Sequence, residues 1–202
     1  MTTWTSRPLA ALGLFSLLGA CDASQTDGGG LLANLVPPQD AALPPVPLSQ
    51  ALMMRGQVTL VPPRGYCIDP ESLSQSFALM ARCDTMGAAT GGNGAPIGVL
   101  TVSFARNVLN PDLPSAQDVA TAFALAPPEN SRTAQDSVIF KTTGTAPTAD
   151  LSPDHWRAVA KVAGFTMGLA LFGPEGRRAV SAEGAEVLQE TITRTTARTN
   201  AA

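Results

Sequence analysis

The sequence predicts an α+β domain built on a largely antiparallel sheet, and three observations carry that expectation. Apolar and polar residues alternate in short runs bounded by Pro and Gly. Helix-start chemistry stands in front of only a few segments, and strands do not alternate regularly with helices. Read in order, about five strands and about three helices follow one another as β-α-β-α-β-β-β-α.

The first strand is Gln57 to Val61, which alternates and is stopped by Pro62-Pro63. Asp69-Pro70-Glu71 then supplies an N-cap and a Pro for the first helical position. Behind it Leu73, Phe77, Met80 and Ala81 recur at helical spacing, so a helix is expected. Gly91-Gly92-Asn93-Gly94 reads as a loop and Ile97 to Phe104 as a strand. A second helix opens at Pro114-Ser115 with Asp118, turning Val119, Ala122 and Phe123 inward. Asp136 to Lys141 is a further strand. Trp156, Ala158, Ala160 and Val162 then alternate with Arg157, Val159 and Lys161, and Phe165 to Phe172 follows Ala163-Gly164. That is a hairpin pattern, with Gly164 able to adopt positive φ; a helix over 153–172 is the competing reading, because Ala is a good helix former. Ser181 precedes a last helix in which Val187, Leu188 and Ile192 face the core and Glu190 pairs with Arg194, and the Thr/Arg/Ala tail is expected to fray.

Ahead of this domain, Arg7 is followed by the apolar run Leu9 to Leu18 and then by Leu18-Gly19-Ala20-Cys21. A charged start, a short apolar stretch and small residues are the plan of a secretory signal, and the run is too short for the roughly 20 residues of a membrane span. The Cys after Gly-Ala resembles the lipobox of bacterial lipoproteins. The resemblance implies cleavage of residues 1–20, acylation of Cys21 and a membrane anchor facing the periplasm; Asp22 beside it points to the inner membrane. Residues 21–54 then read as a tether, with Gly28-Gly29-Gly30, Pro37-Pro38 and Pro44-Pro45-Val46-Pro47 and no Lys or Arg after Cys21. Residues 55–200 form the single domain. Its closing hairpin and helix, behind a lipid anchor, resemble small exported domains of the PsbP/Mog1 type, which implies a fold and no activity.

Composition narrows the function classes. The formal net charge is −3, with 13 basic and 16 acidic residues and no dense Lys/Arg run, which does not suit the phosphate-driven attraction of nucleic-acid binding. Of the 3 cysteines, Cys67 and Cys83 remain for the exported domain and read first as a disulfide. Reactive thiols are the sharper alternative, but no Cys-x-x-Cys supports them. His155 is the lone histidine, between Asp154 and Trp156, so no metal site is expected. It reads as a partly exposed residue at the start of a strand, or else as a general base. No G-x-S-x-G elbow is present, and the Gly91–Gly94 loop lacks the spacing and Lys of a phosphate cradle. The acid pairs Asp69/Glu71, Asp150/Asp154 and Glu183/Glu186 sit where capping and helix dipoles favour carboxylates. Arg64 and Tyr66 together suit a recognition patch, or Tyr66 covers the disulfide.

The expectation is therefore a lipid-anchored envelope lipoprotein acting as a non-enzymatic binding or accessory module, without cofactor, whose partner is an envelope or membrane protein. A small-ligand-binding lipoprotein is the alternative, and a hydrolase with a site around His155 a more remote one.

Overall fold

The computed structural model describes residues 46–88, 91–106 and 112–201; the signal segment, the lipobox with Cys21, Asp22 and the tether as far as residue 45 lie outside the described residues. The elements run β1 Ala51–Met53, β2 Val58–Leu60, β3 Tyr66–Ile68, β4 Phe77–Arg82, β5 Val99–Arg106, α1 Ala116–Ala122, β6 Glu129–Ala134, β7 Ser137–Thr143, β8 Asp154–Val162, β9 Phe165–Phe172 and α2 Ala182–Asn200. The main sheet has 7 strands in the order β3-β4-β5-β9-β8-β7-β6, with every neighbouring pair antiparallel. β1 and β2 form a separate antiparallel pair. The class is α+β, as its sequence predicts, with more strands and fewer α-helices than expected.

The hairpin reading of 153–172 holds. Val162 pairs with Phe165 across a two-residue turn in which Ala163 and Gly164 have φ of 49° and 78°. Both central residues on the left-handed side is the turn whose twist matches its flanking strands. The helix expected behind Asp69-Pro70-Glu71 is replaced by β4. There the Asp69 carboxylate accepts from the Glu71 backbone N–H at 3.0 Å, and the Ser72 hydroxyl accepts from Leu79 N–H at 2.9 Å. Short polar side chains thus turn the backbone instead of capping a helix. Residues 77–80 also satisfy a period of two, with Ala78 and Met80 buried between flanking strands and Phe77 turned out. Pairing with both β3 and β5 decides between the two periods.

β6 escapes sequence detection because all 6 of its residues are exposed and carry no apolar period. The domain also starts earlier than residue 55. Leu48 bridges Ile68, and β1 lies within the stretch assigned to the tether. Nor does the C-terminal tail fray: α2 continues to Asn200. Its Thr199 and Thr195 hydroxyls accept from Thr59 and Val61 N–H at 3.1 and 3.2 Å, satisfying the outer edge of β2.

Two apolar layers result. On one side of the sheet, Val102, Ala158, Ala160 and Leu171 pack with β1–β2 and with Leu188 and Ile192 of α2. On the other, Val138, Phe140 and Val159 pack with Val119 and Ala120 of α1. The Ser115–Asp118 capping box starts α1 as expected, but its inward residues are Val119 and Ala120, while Ala122 and Phe123 face out. This short helix covers only part of its face.

Candidate functional site on the open sheet face

Alternation along β8 sends Trp156, Ala158 and Ala160 toward α2 and His155, Arg157 and Val159 toward the opposite face. His155 is fully buried, in contrast to the expected partial exposure. β8 begins at Asp154, so His155 is already paired inside the sheet, opposite Thr142. Its ring stacks on Phe172 with centroids 4.3 Å apart. Nδ1 lies 2.9 Å from the Pro153 carbonyl, and Nε2 accepts from Arg157 Nε at 3.0 Å. The carbonyl requires Nδ1–H, and the arginine requires a bare Nε2, so the ring is the neutral Nδ1–H tautomer. Burial holds the His155 pKa below its ordinary 6.5, and the Arg157 charge adds to that; the Pro153 carbonyl and Asp154 pull the other way. Both nitrogens are occupied, which leaves neither for a proton relay with substrate.

Arg157 is half-buried. Its Nε is spent on His155, and its Cζ lies 4.8 Å from the centre of the Phe123 ring. Among the described residues no carboxylate forms an ion pair with it. Burial lowers its pKa, as for any cation drawn out of water, yet a guanidinium stays charged. Beside it is a hollow of about 100 Å³ floored by Thr101 and Ser103 of β5 and Gly168 and Ala170 of β9, with Phe123 and Arg157 at its side. Thr101 and Ser103 donate to the Ala170 and Gly168 carbonyls at 3.4 Å. The floor is low because Gly168 has no side chain: a Cβ there would lie 3.0 Å from Ser103 Oγ.

The residues singled out in the sequence are scattered. Tyr66 is 3% exposed and donates to the Pro96 carbonyl at 2.7 Å; burial pushes its pKa well up. The Arg64 side chain is 89% exposed and pairs with Glu190 at 3.3 Å, so the two make no common patch. Cys67 and Cys83 form a disulfide that ties β3 to the residue after β4, with Cα atoms 4.9 Å apart. Asp154 accepts from Thr143 Oγ1 at 2.6 Å and from Lys141 at 3.3 Å, contacts that hold its pKa low. Glu183 pairs with Arg178, and Glu186 with Arg132. Among the described residues no cluster of three or more His, Cys, Asp or Glu side chains suits a metal ion, and no helix is long and apolar enough to cross a membrane. Arg157 and Phe123 were missed. The available signal was an arginine two residues from the lone histidine, hence on its face, in the middle of a strand whose interior is otherwise mostly apolar.

No family model and no curated protein matches the chain. The solution structure of cyanobacterial PsbP (CyanoP) from Synechocystis sp. PCC 6803 is similar at 12% identity and a TM-score of 0.39, over 76% of this chain and 94% of that one. A likeness at that level carries no argument about activity.

Proposed function

We propose that the protein is a membrane-anchored envelope lipoprotein and a non-enzymatic binding or accessory module. A lipid on Cys21 holds the domain on the periplasmic side, and the open half of the sheet contacts an envelope or membrane protein. The observation that carries this reading is Phe123, 61% exposed just after α1 and held against the half-buried Arg157. Aromatic and arginine side chains are the residues from which contact surfaces draw most of their energy. Phe77, 38% exposed, lies beyond Ser103 on the neighbouring strand and extends the apolar surface.

A second reading, small-ligand binding, is favoured by a groove of about 570 Å³ at the β5 and β9 ends, lined by Pro96, Ile97, Pro174 and Arg178. That volume is within the range of small-molecule sites, whereas the hollow at Arg157 is not. Photo-crosslinking in cells separates the two. Benzoylphenylalanine at position 123 of the full-length chain is expected to capture a discrete membrane or envelope protein, and Cys21→Ala to abolish both capture and signal processing. Normal processing of Cys21→Ala sinks the anchor, and an adduct-free position 123 sinks the partner.

A further inference from the structure

We infer that the hollow beside Phe123 is a carboxylate site, in which Arg157 receives an Asp or Glu side chain of the partner; this rests on the accessory reading above. The argument starts from donor accounting. A guanidinium has five N–H donors, and Arg157 spends one, its Nε–H, on His155. The four on the terminal nitrogens have no partner among the described residues. The group is nonetheless fixed from two sides, by His155 at 3.0 Å and the Phe123 ring at 4.8 Å, so little freedom remains to be lost on binding. A half-buried cation without a counter-ion carries a desolvation cost that an incoming anion removes.

The geometry also selects the anion. The planar fork matches a planar carboxylate in a bidentate pair. Arg157 is the sole cation lining the hollow among the described residues, which suits one negative charge better than the two of a phosphate. The space of about 100 Å³ admits a carboxylate head and is too small for a drug-sized metabolite, which fits an acid carried on a larger molecule. The small floor of Ser103, Gly168 and Ala170 lets such a side chain reach Arg157 past Phe123.

The test is an NMR titration of the full-length protein in detergent micelles, reading the Arg157 Nε–H and Ser103 amide signals. The probes are N-acetyl-glutamate methylamide, its glutamine counterpart and inorganic phosphate, at constant ionic strength. A saturable shift with the glutamate probe alone is expected. Arg157→Gln should weaken it about tenfold or more, the scale of a lost charge-assisted pair. Ser103→Asp, at an exposed position, places a carboxylate in the hollow and should block the probe with the fold intact. Equal shifts with glutamine, no saturable shift, tighter binding of phosphate, or undiminished binding to Ser103→Asp overturns the inference. A failed titration with an intact crosslink at position 123 removes the carboxylate and leaves the accessory reading. Success with no crosslink removes the protein partner and leaves the acid site.

Discussion

The two faces of the 7-stranded sheet are made by the same strands with alternate side chains, yet different physics governs them. The face under α2 is sealed, and shape rules it. At Gly184 a Cβ would lie 2.1 Å from the Ala179 carbonyl oxygen and 2.3 Å from Trp156 Cδ1, so the helix reaches the sheet only because that position has no side chain. Trp156 Nε1 donates to the Ser181 carbonyl at 2.6 Å, pinning the helix start to the same spot. The face under α1 is half open, and hydrogen bonding rules it: His155 takes one of the five Arg157 donors beneath the exposed Phe123 ring, and the terminal nitrogens are left to face the hollow. Substitutions on the first face should therefore register as stability, and those on the second chiefly as recognition.

The largest effect belongs to the sealed face. Leu188→Ala removes a fully buried side chain from the main core and is expected to cost about 2–5 kcal/mol in chemical denaturation. A loss below 1 kcal/mol would mean that the face is not packed as described. Gly184→Ala sharpens the point through its sign. Helix propensity alone favours Ala by about 1 kcal/mol, whereas the missing space predicts net destabilisation of about 1–3 kcal/mol. A stabilised variant would break the comparison.

The next effect is on the open face, below its surface. His155→Phe keeps a ring to stack on Phe172 but removes the acceptor for Arg157 Nε and the donor for the Pro153 carbonyl. The expected loss is about 1–3 kcal/mol. Its pH dependence has a definite sign. The pKa of His155 is depressed in the folded state, so below its ordinary 6.5 the unfolded chain takes up the proton first. The contribution is complete above that value and lost as pH falls through the folded pKa. Wild type should accordingly weaken as the pH falls below about 6.5, and His155→Phe should flatten that limb. An unchanged limb in the variant would assign the acid sensitivity elsewhere.

Legibility in the sequence followed the same division. The hairpin of β8 and β9 was readable because alternation and Ala163-Gly164 agree on one answer, and α1 because Ser115 and Asp118 form a local capping box. β4 was not, since Phe77, Met80 and Ala81 recur at helical spacing while Ala78 and Met80 alternate with Phe77 as in a strand. The choice was made by pairing with β3 and β5, which lies outside the segment that carries the periodicity. β6 has no apolar residue to bury beyond Ala134, so its pairing with β7 leaves no pattern. The candidate site was hidden for a related reason. Phe123 lies at helical spacing from Val119 and reads as core, and only the shortness of α1 turns it out over Arg157.

Phe123→Ala is the smallest expected effect on stability and the sharpest on the comparison. The ring is mostly in water and contributes a cation–π contact worth about 0.5–1 kcal/mol at an exposed site, so unfolding should shift by no more than about that amount. Recognition should fall much further, because the same ring is one of the two supports that hold the Arg157 fork in place and is the part of the site a partner meets first. Recovery of the crosslinked partner, read from a second probe at position 77, should drop sharply in Phe123→Ala while the denaturation midpoint barely moves. A variant that loses several kcal/mol would place Phe123 in the core after all. One that keeps both stability and partner capture would move the contact surface away from Arg157.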